Sequence, residues 1–174
     1  YLELISRAIR RGKTAIMLVP EISLTPQMLG QLRARFGKAA AIMHSGLSAG
    51  ERFDEWWRLR TGEAVIAIGA RSAIFAPLEN IGIIVIDEEH DGSYTSESAP
   101  RYTTAEIAER RASAWGAKLV LGSATPSVES YLKATEGEYN LARLSDRINK
   151  KPLPDVEIAD MRGEVRRGNN TPFS

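Results

Sequence analysis

The 174-residue chain contains no cysteine, which excludes disulfides and thiolate metal sites within these residues. Its formal net charge is only +1, so bulk electrostatics point to no nucleic-acid partner and any basic surface has to be local. No apolar run approaches the roughly 18 residues that a membrane-spanning helix needs, and no internal repeat or low-complexity segment suggests an array. What is present is ordinary for a globular protein: 43% hydrophobic and 26% charged residues, in a length that suits one domain with a sizeable core. The expected location is the cytoplasm, without a membrane partner. Tyr1 to Ile5 reads as the interior of a helix with no cap before it, so the natural beginning is expected upstream.

Short β-rich runs alternate with helical patterns, which argues for parallel βαβ units and an α/β fold. Strands are predicted at 15–19, 39–43, 64–68, 81–86 and 117–121, with two further candidates at 141–144 and 156–159. Helix starts are marked by Thr25-Pro26 and by two capping boxes, Ser48 to Glu51 and Thr103 to Glu106. Helix stops are marked by Gly12, Gly37, Gly62 and Gly116. Trp56 and Trp57 are neighbours on one helix, which predicts one in the core and the other partly exposed. Arg162, Arg166 and Arg167 form a small basic run that reads as solvated surface.

The strongest chemical signal is Asp87-Glu88-Glu89-His90, at the end of the apolar run 81–86. Ligands of open α/β sheets bind at that edge of the strands. Two adjacent acids there can divide two tasks: one holds Mg²⁺ through water and the other polarises an attacking water. The plain alternative is a charged turn after a strand. His90 lacks the cysteine or second nearby histidine of a zinc site. A second segment, 122–127, also follows a strand. Its Ser123 and Thr125 can bond phosphate oxygens or carboxylates, although Thr125 can equally cap a helix opened by Pro126.

Pro20 to Thr25 and Gly69 to Ser72 follow strands as well. They offer hydroxyls, backbone N–H groups and Arg71, suited to a phosphodiester backbone or simply to turns and caps. Gly12-Lys13-Thr14 is no phosphate loop: Arg7 stands where the first glycine is needed, and the triplet follows a helix and opens a strand.

Taken in order, the runs 18–27 (Leu-Val-Pro-Glu-Ile-Ser-Leu-Thr-Pro-Gln), 44–48 (His-Ser-Gly-Leu-Ser), 69–77 (Gly-Ala-Arg-Ser-Ala-Ile-Phe-Ala-Pro), 87–94 (Asp-Glu-Glu-His-Asp-Gly-Ser-Tyr) and 122–127 (Gly-Ser-Ala-Thr-Pro-Ser) resemble the primosomal, replication-restart DNA helicases of superfamily 2, whose acidic motif is DEAH-like. The resemblance covers essentially the whole chain. It implies a RecA-like parallel sheet with helices on both faces, the first motor lobe of a P-loop NTPase. Residues 1–146 would form that lobe and 147–174 its end and the connection onward. The strand and phosphate loop that open the lobe are expected before Tyr1, and their loss predicts a gap in the middle of the sheet.

The implied activity is ATP-dependent 3′–5′ unwinding of DNA at stalled forks, with reassembly of the primosome. The implied catalytic pair is Glu88 and Asp87, with Asp87 on Mg²⁺ through water. Glu89, His90, Ser123 and Thr125 complete the ATP site, His90 coupling to Ser123 and Thr125. Pro20, Thr25, Gly69, Arg71, Ser72, Tyr94, Arg101 and Tyr102 would meet single-stranded DNA, the two tyrosines by stacking or, alternatively, by packing the loop down. Implied cofactors are ATP and Mg²⁺, with Zn²⁺ only in a downstream region. Implied partners are single-stranded and forked DNA, primosome proteins and single-strand-binding protein. The segment 95–106 departs from the family pattern, with Thr95-Ser96 where Lys-Gln is frequent. Two rivals are another superfamily-2 translocase, RecG-like, and a non-catalytic DNA-binding module of the same fold.

Overall fold

The computed structural model describes residues 1–144 and Arg162. The strands are β1 (Thr14–Leu18), β2 (Ala40–Met43), β3 (Ile66–Gly69), β4 (Ile81–Asp87), β5 (Thr95–Ser96), β6 (Tyr102–Thr103) and β7 (Lys118–Gly122). The α-helices are α1 (Leu2–Arg10), α2 (Pro26–Phe36), α3 (Ala49–Thr61), α4 (Thr104–Trp115) and α5 (Val128–Thr135). Five strands form one parallel sheet in the order β2-β3-β1-β4-β7, and β5 and β6 pair as a small antiparallel hairpin. Residues 1–139 make one compact unit and 140–174 another. The strand predicted at 141–144 is absent, these residues having no regular structure. The one predicted at 156–159 lies outside the described residues, as do Arg166 and Arg167.

Why these runs become central strands follows from burial on both faces. Ile16, Leu18, Ile84 and Ile86 point to one side, where Leu59 of α3 and Ala108 and Ala112 of α4 cover them. Met17, Ile66, Ile68 and Val85 point to the other, beneath Ile5 of α1 and Leu32 of α2. Each fully buried branched side chain contributes roughly 1.5–3 kcal/mol, so the apolar runs fix the sheet and the helices follow.

The sheet has no gap in its middle, contrary to the sequence expectation. β7 pairs directly with β4, Asp87 opposite Gly122, so the acid-bearing strand and the strand before Ser123 are immediate neighbours, with β7 and β2 at the two edges of the sheet.

Caps form at Thr25, Ser48 and Thr103, the last two as full capping boxes. Thr125 caps nothing: Ser127 is the cap of α5, its Oγ accepting the Ser130 N–H at 3.2 Å. The tryptophan expectation also fails. Trp56 and Trp57 are both outside, 37% and 52% exposed, with rings 6.1–6.2 Å from that of Phe53. The side of α3 facing the sheet is taken by Leu59 and by Glu55, which accepts the Ile42 N–H of edge strand β2 at 3.0 Å and holds Arg58 at 2.8 Å.

Candidate active site

Because all five strands of the sheet are parallel, the segments after β1, β2, β3, β4 and β7 emerge at one edge, and every predicted site segment lies there. At the end of β4 the chain turns through Glu88, whose φ of 47° is left-handed. A non-glycine residue held in that region costs about 1 kcal/mol or more, and such strained residues cluster at functional sites. The turn leaves the Glu88 carboxylate 45% exposed, while Asp87 is half-buried and its Oδ1 accepts the Glu88 N–H at 3.1 Å.

Two tyrosines hold Asp87. The Tyr94 hydroxyl donates to the Asp87 carbonyl at 2.9 Å. The Tyr1 hydroxyl meets the Asp87 carboxylate; burial first, then that hydrogen bond, push its pKa up to about 12. The approach requires glycine opposite: a Cβ on Gly122 would stand 1.7 Å from Tyr1 Oη.

His90 joins the acidic turn to the next strand. Its Nδ1 lies 2.6 Å from Ser123 Oγ and 3.7 Å from Glu88 Oε2, and its Nε2 lies 3.4 Å from Thr125 Oγ1. Ser123 Oγ also accepts the Thr125 N–H at 2.9 Å. The structure thus brings Glu88, His90, Ser123 and Thr125 into one network.

Glu89 stands outside this network. Both its oxygens are engaged by α5, Oε1 accepting the Ser127 N–H at 2.6 Å and Oε2 the hydroxyls of Ser127 and Ser130 at 3.1 Å each. It turns toward the cap of α5. Ser127 and Ser130 were missed in the sequence, where their small hydroxyl side chains carry no signal of a partner 38 and 41 residues away.

The residues read as DNA contacts divide into two groups. Pro20 is buried and has no N–H to give; its carbonyl accepts the Ser23 N–H at 2.8 Å, so it shapes a turn. Gly69 is buried within β3, where a Cβ would stand 2.3 Å from the Met43 carbonyl oxygen, so its lack of a side chain serves strand packing. Tyr94 is only 4% exposed; burial, then the Asp87, Asp91 and Glu88 carboxylates, raise its pKa, and its ring is shut away from any base. These three are buried, unlike the candidates that follow.

Thr25, Ser72 and Arg101 are exposed, and Thr25 Oγ1 caps the Met28 N–H at 3.3 Å. Arg71 donates to the Thr95 carbonyl and its guanidinium lies 5.9 Å from the Tyr102 ring centroid. Phe75, 54% exposed, meets the same ring edge-on at 5.4 Å. Arg101 and Tyr102 line a shallow recess of about 690 Å³ with Thr95, Thr103, Glu97 and Glu106. Sequence reasoning did not single out Phe75, which stands between the apolar Ile74 and Ala76.

Sequence reasoning missed Arg111 too. From α4 its guanidinium donates to the carbonyls of Ile74, Ala76 and Leu78, the last two at 3.0 Å. It thereby fixes the connection from β3 to β4, which carries Arg71, Ser72 and Phe75. Burial lowers its pKa.

Two adjacent carboxylates with no third donor suit a hard cation that takes its remaining ligands from water and phosphate, the usual arrangement for Mg²⁺. Among the described residues no group of three or more His, Cys, Asp or Glu side chains forms a protein-only metal cage. No helix there is long and apolar enough to cross a membrane.

A parallel α/β sheet with an Asp-Glu-Glu-His turn at its carboxyl edge, hydrogen-bonded to a Ser-Ala-Thr segment, defines a RecA-like helicase lobe. The family model of the DEAD/DEAH box helicases matches residues 1–134, and the chain belongs to that family. Among curated relatives it is similar along its whole length to Replication restart protein PriA of Bacillus subtilis strain 168, 52% identical over 174 residues. It is 44% identical over 179 aligned residues to the PriA protein of Synechocystis sp. PCC 6803, and 42% identical over 165 residues, 95% of this chain, to that of Treponema pallidum strain Nichols. The chain spans 22%, 22% and 25% of the lengths of these relatives.

Proposed function

We propose that this chain is the acid-bearing part of the first motor lobe of an ATP-dependent DNA helicase that restarts replication, working in the cytoplasm on single-stranded and forked DNA. The observation that carries the reading is the network Glu88–His90–Ser123–Thr125 at the sheet edge, together with similarity along the whole of this chain to proteins named for replication restart.

Mg²⁺·ATP supplies the phosphoanhydride and the charge neutralisation that phosphoryl transfer needs. Asp87 is the residue to hold the cation through water, its backbone pinned by Tyr94. Glu88, projected outward by its left-handed backbone, orients the attacking water and takes its proton. His90 joins that carboxylate to the 122–127 segment. On the same edge, Arg71, Ser72, Arg101, Tyr102 and Thr25 offer charge, hydroxyls and one ring to a single strand. Primosome and single-strand-binding proteins are the partners this activity implies.

Glu88→Gln in the full-length protein tests the reading. DNA-stimulated ATP hydrolysis is expected to fall by about 10²–10⁴-fold, the usual weight of a positioned base, with ATP binding retained. Turnover near wild type would remove Glu88 from the chemistry.

A further inference from the structure

The helix α5 is attached unlike the others. Among the described residues it is the α-helix that buries no side chain, and Val128 and Leu132 are 80% and 52% exposed. Polar contacts at both ends hold it instead. At its carboxyl end Lys133 donates to Glu109 at 2.8 Å and to the Tyr139 hydroxyl at 3.2 Å. At its amino end stands Glu89, with its three hydrogen bonds from Ser127 and Ser130.

Glu89 also donates its own N–H to the Gly122 carbonyl at 3.0 Å. One residue therefore grips both ends of the segment 122–127: Gly122 through its backbone, Ser127 through its carboxylate. Between those two points lie Ser123 and Thr125, the hydroxyls on His90. The segment's own contacts with His90 are at exposed side chains, so the hold on its far end comes from Glu89.

We propose that Glu89 is a positioning residue: it fixes the span of segment 122–127 so that Ser123 and Thr125 meet His90, and it anchors α5 to the acidic turn. The proposal rests on the hydrolytic reading for its kinetic consequence, while the anchoring itself can be read without turnover. A carboxylate is needed because three donors converge on it; an amide keeps one acceptor oxygen and an alanine none.

The test uses the full-length protein with Glu89→Ala, Glu89→Gln and Ser127→Ala/Ser130→Ala. Glu89→Ala is expected to lower kcat of the DNA-stimulated ATPase about 10-fold or more with KM for ATP changed less than about 3-fold, the split of a residue that does not touch substrate. Glu89→Gln is expected to recover only part of that loss, because its amide keeps one of the two acceptor oxygens, and the double serine variant to show a smaller loss of the same kind. Backbone amides of 123–135 should exchange with deuterium faster in Glu89→Ala, while those of β4 stay protected.

If Glu89→Ala fails to fold, the glutamine and serine variants carry the same comparison. Unchanged exchange across 123–135 overturns the anchoring. Equal damage from alanine and glutamine with KM raised about 10-fold overturns it in favour of a nucleotide contact. Glu88→Gln run alongside separates the two failures: if it leaves turnover intact, the hydrolytic reading falls while the exchange result still judges Glu89.

Discussion

His90 Nδ1 and Ser123 Oγ are 2.6 Å apart, a side-chain hydrogen bond that joins the turn after β4 to the turn after β7. It spans the carboxyl ends of neighbouring strands, so it senses any shift of one strand's turn against the other. His90→Ala and Ser123→Ala in the full-length protein are each expected to reduce DNA-stimulated ATP hydrolysis about 10-fold. The double variant should be no worse than the poorer single one, because each change already breaks the shared link. Losses that multiply in a double-mutant cycle would show that the two residues act separately.

Arg111 gives a prediction of stability. Its guanidinium satisfies three carbonyls of the β3–β4 connection at once, a fork that lysine cannot reproduce. Arg111→Lys is expected to destabilise by about 1–2 kcal/mol and Arg111→Met by about 2–4 kcal/mol, since unsatisfied part-buried carbonyls remain. Chemical denaturation measures this. A loss below about 0.5 kcal/mol for methionine would mean that water replaces the guanidinium. DNA affinity should weaken in parallel, because the same connection carries Arg71, Ser72 and Phe75.

Local signals in this chain were readable and distant ones were not. The buried strands announced themselves as continuous Ile/Val runs, and Ser48 and Thr103 as capping boxes, because both depend on residues within one turn or strand. Asp87 and Glu88 were placed by their position after such a run. Glu89 looked the same in sequence, and only the pairing of β4 with β7, which brings Ser127 beside it, gives it a different task. Tyr94 is hidden for a similar reason: its burial depends on Thr104, whose hydroxyl donates to the Tyr94 carbonyl at 2.8 Å, and on the core beneath. The tryptophans misled because adjacent helical positions were read as facing apart, whereas both rings lie outside against Phe53.

The link between α4 and α5 has a defined pH window. Burial by itself would raise the Glu109 carboxyl, but hydrogen bonds from Lys133 and Tyr139 outweigh it and hold the group below its ordinary value. The same contacts, Glu109 first, raise the Lys133 ammonium. The carboxylate's contribution is thus complete above an ordinary glutamate pKa of about 4.3 and fades as pH falls through the lowered folded value. The ammonium's contribution is complete below about 10.4 and fades as pH rises through its raised value. Both side chains are more than a third exposed, so Glu109→Gln is expected to cost only about 0.5–1 kcal/mol at pH 7. That cost should shrink on acidification below about pH 4. A cost that stays constant down to pH 3 would point to shape, not charge.

Tyr94 and Tyr102 stand on the same loop and should separate cleanly. Tyr94 is buried, with its hydroxyl on the Asp87 carbonyl; Tyr102 is half-exposed, flanked by Arg71 and Phe75. Tyr94→Phe removes one hydrogen bond worth about 1 kcal/mol and keeps the ring. It is therefore expected to lower ATP turnover several-fold while leaving single-strand affinity within about 2-fold. Tyr102→Ala removes an accessible ring, and a base stacked on such a ring contributes about 1–3 kcal/mol, so affinity for single-stranded DNA should fall about 5- to 100-fold with basal, DNA-free turnover unchanged. Fluorescence anisotropy with a labelled oligonucleotide and a steady-state ATPase assay read the two effects. Equal losses of affinity in the two variants would mean that Tyr102, like Tyr94, serves packing and that the strand passes elsewhere on this edge.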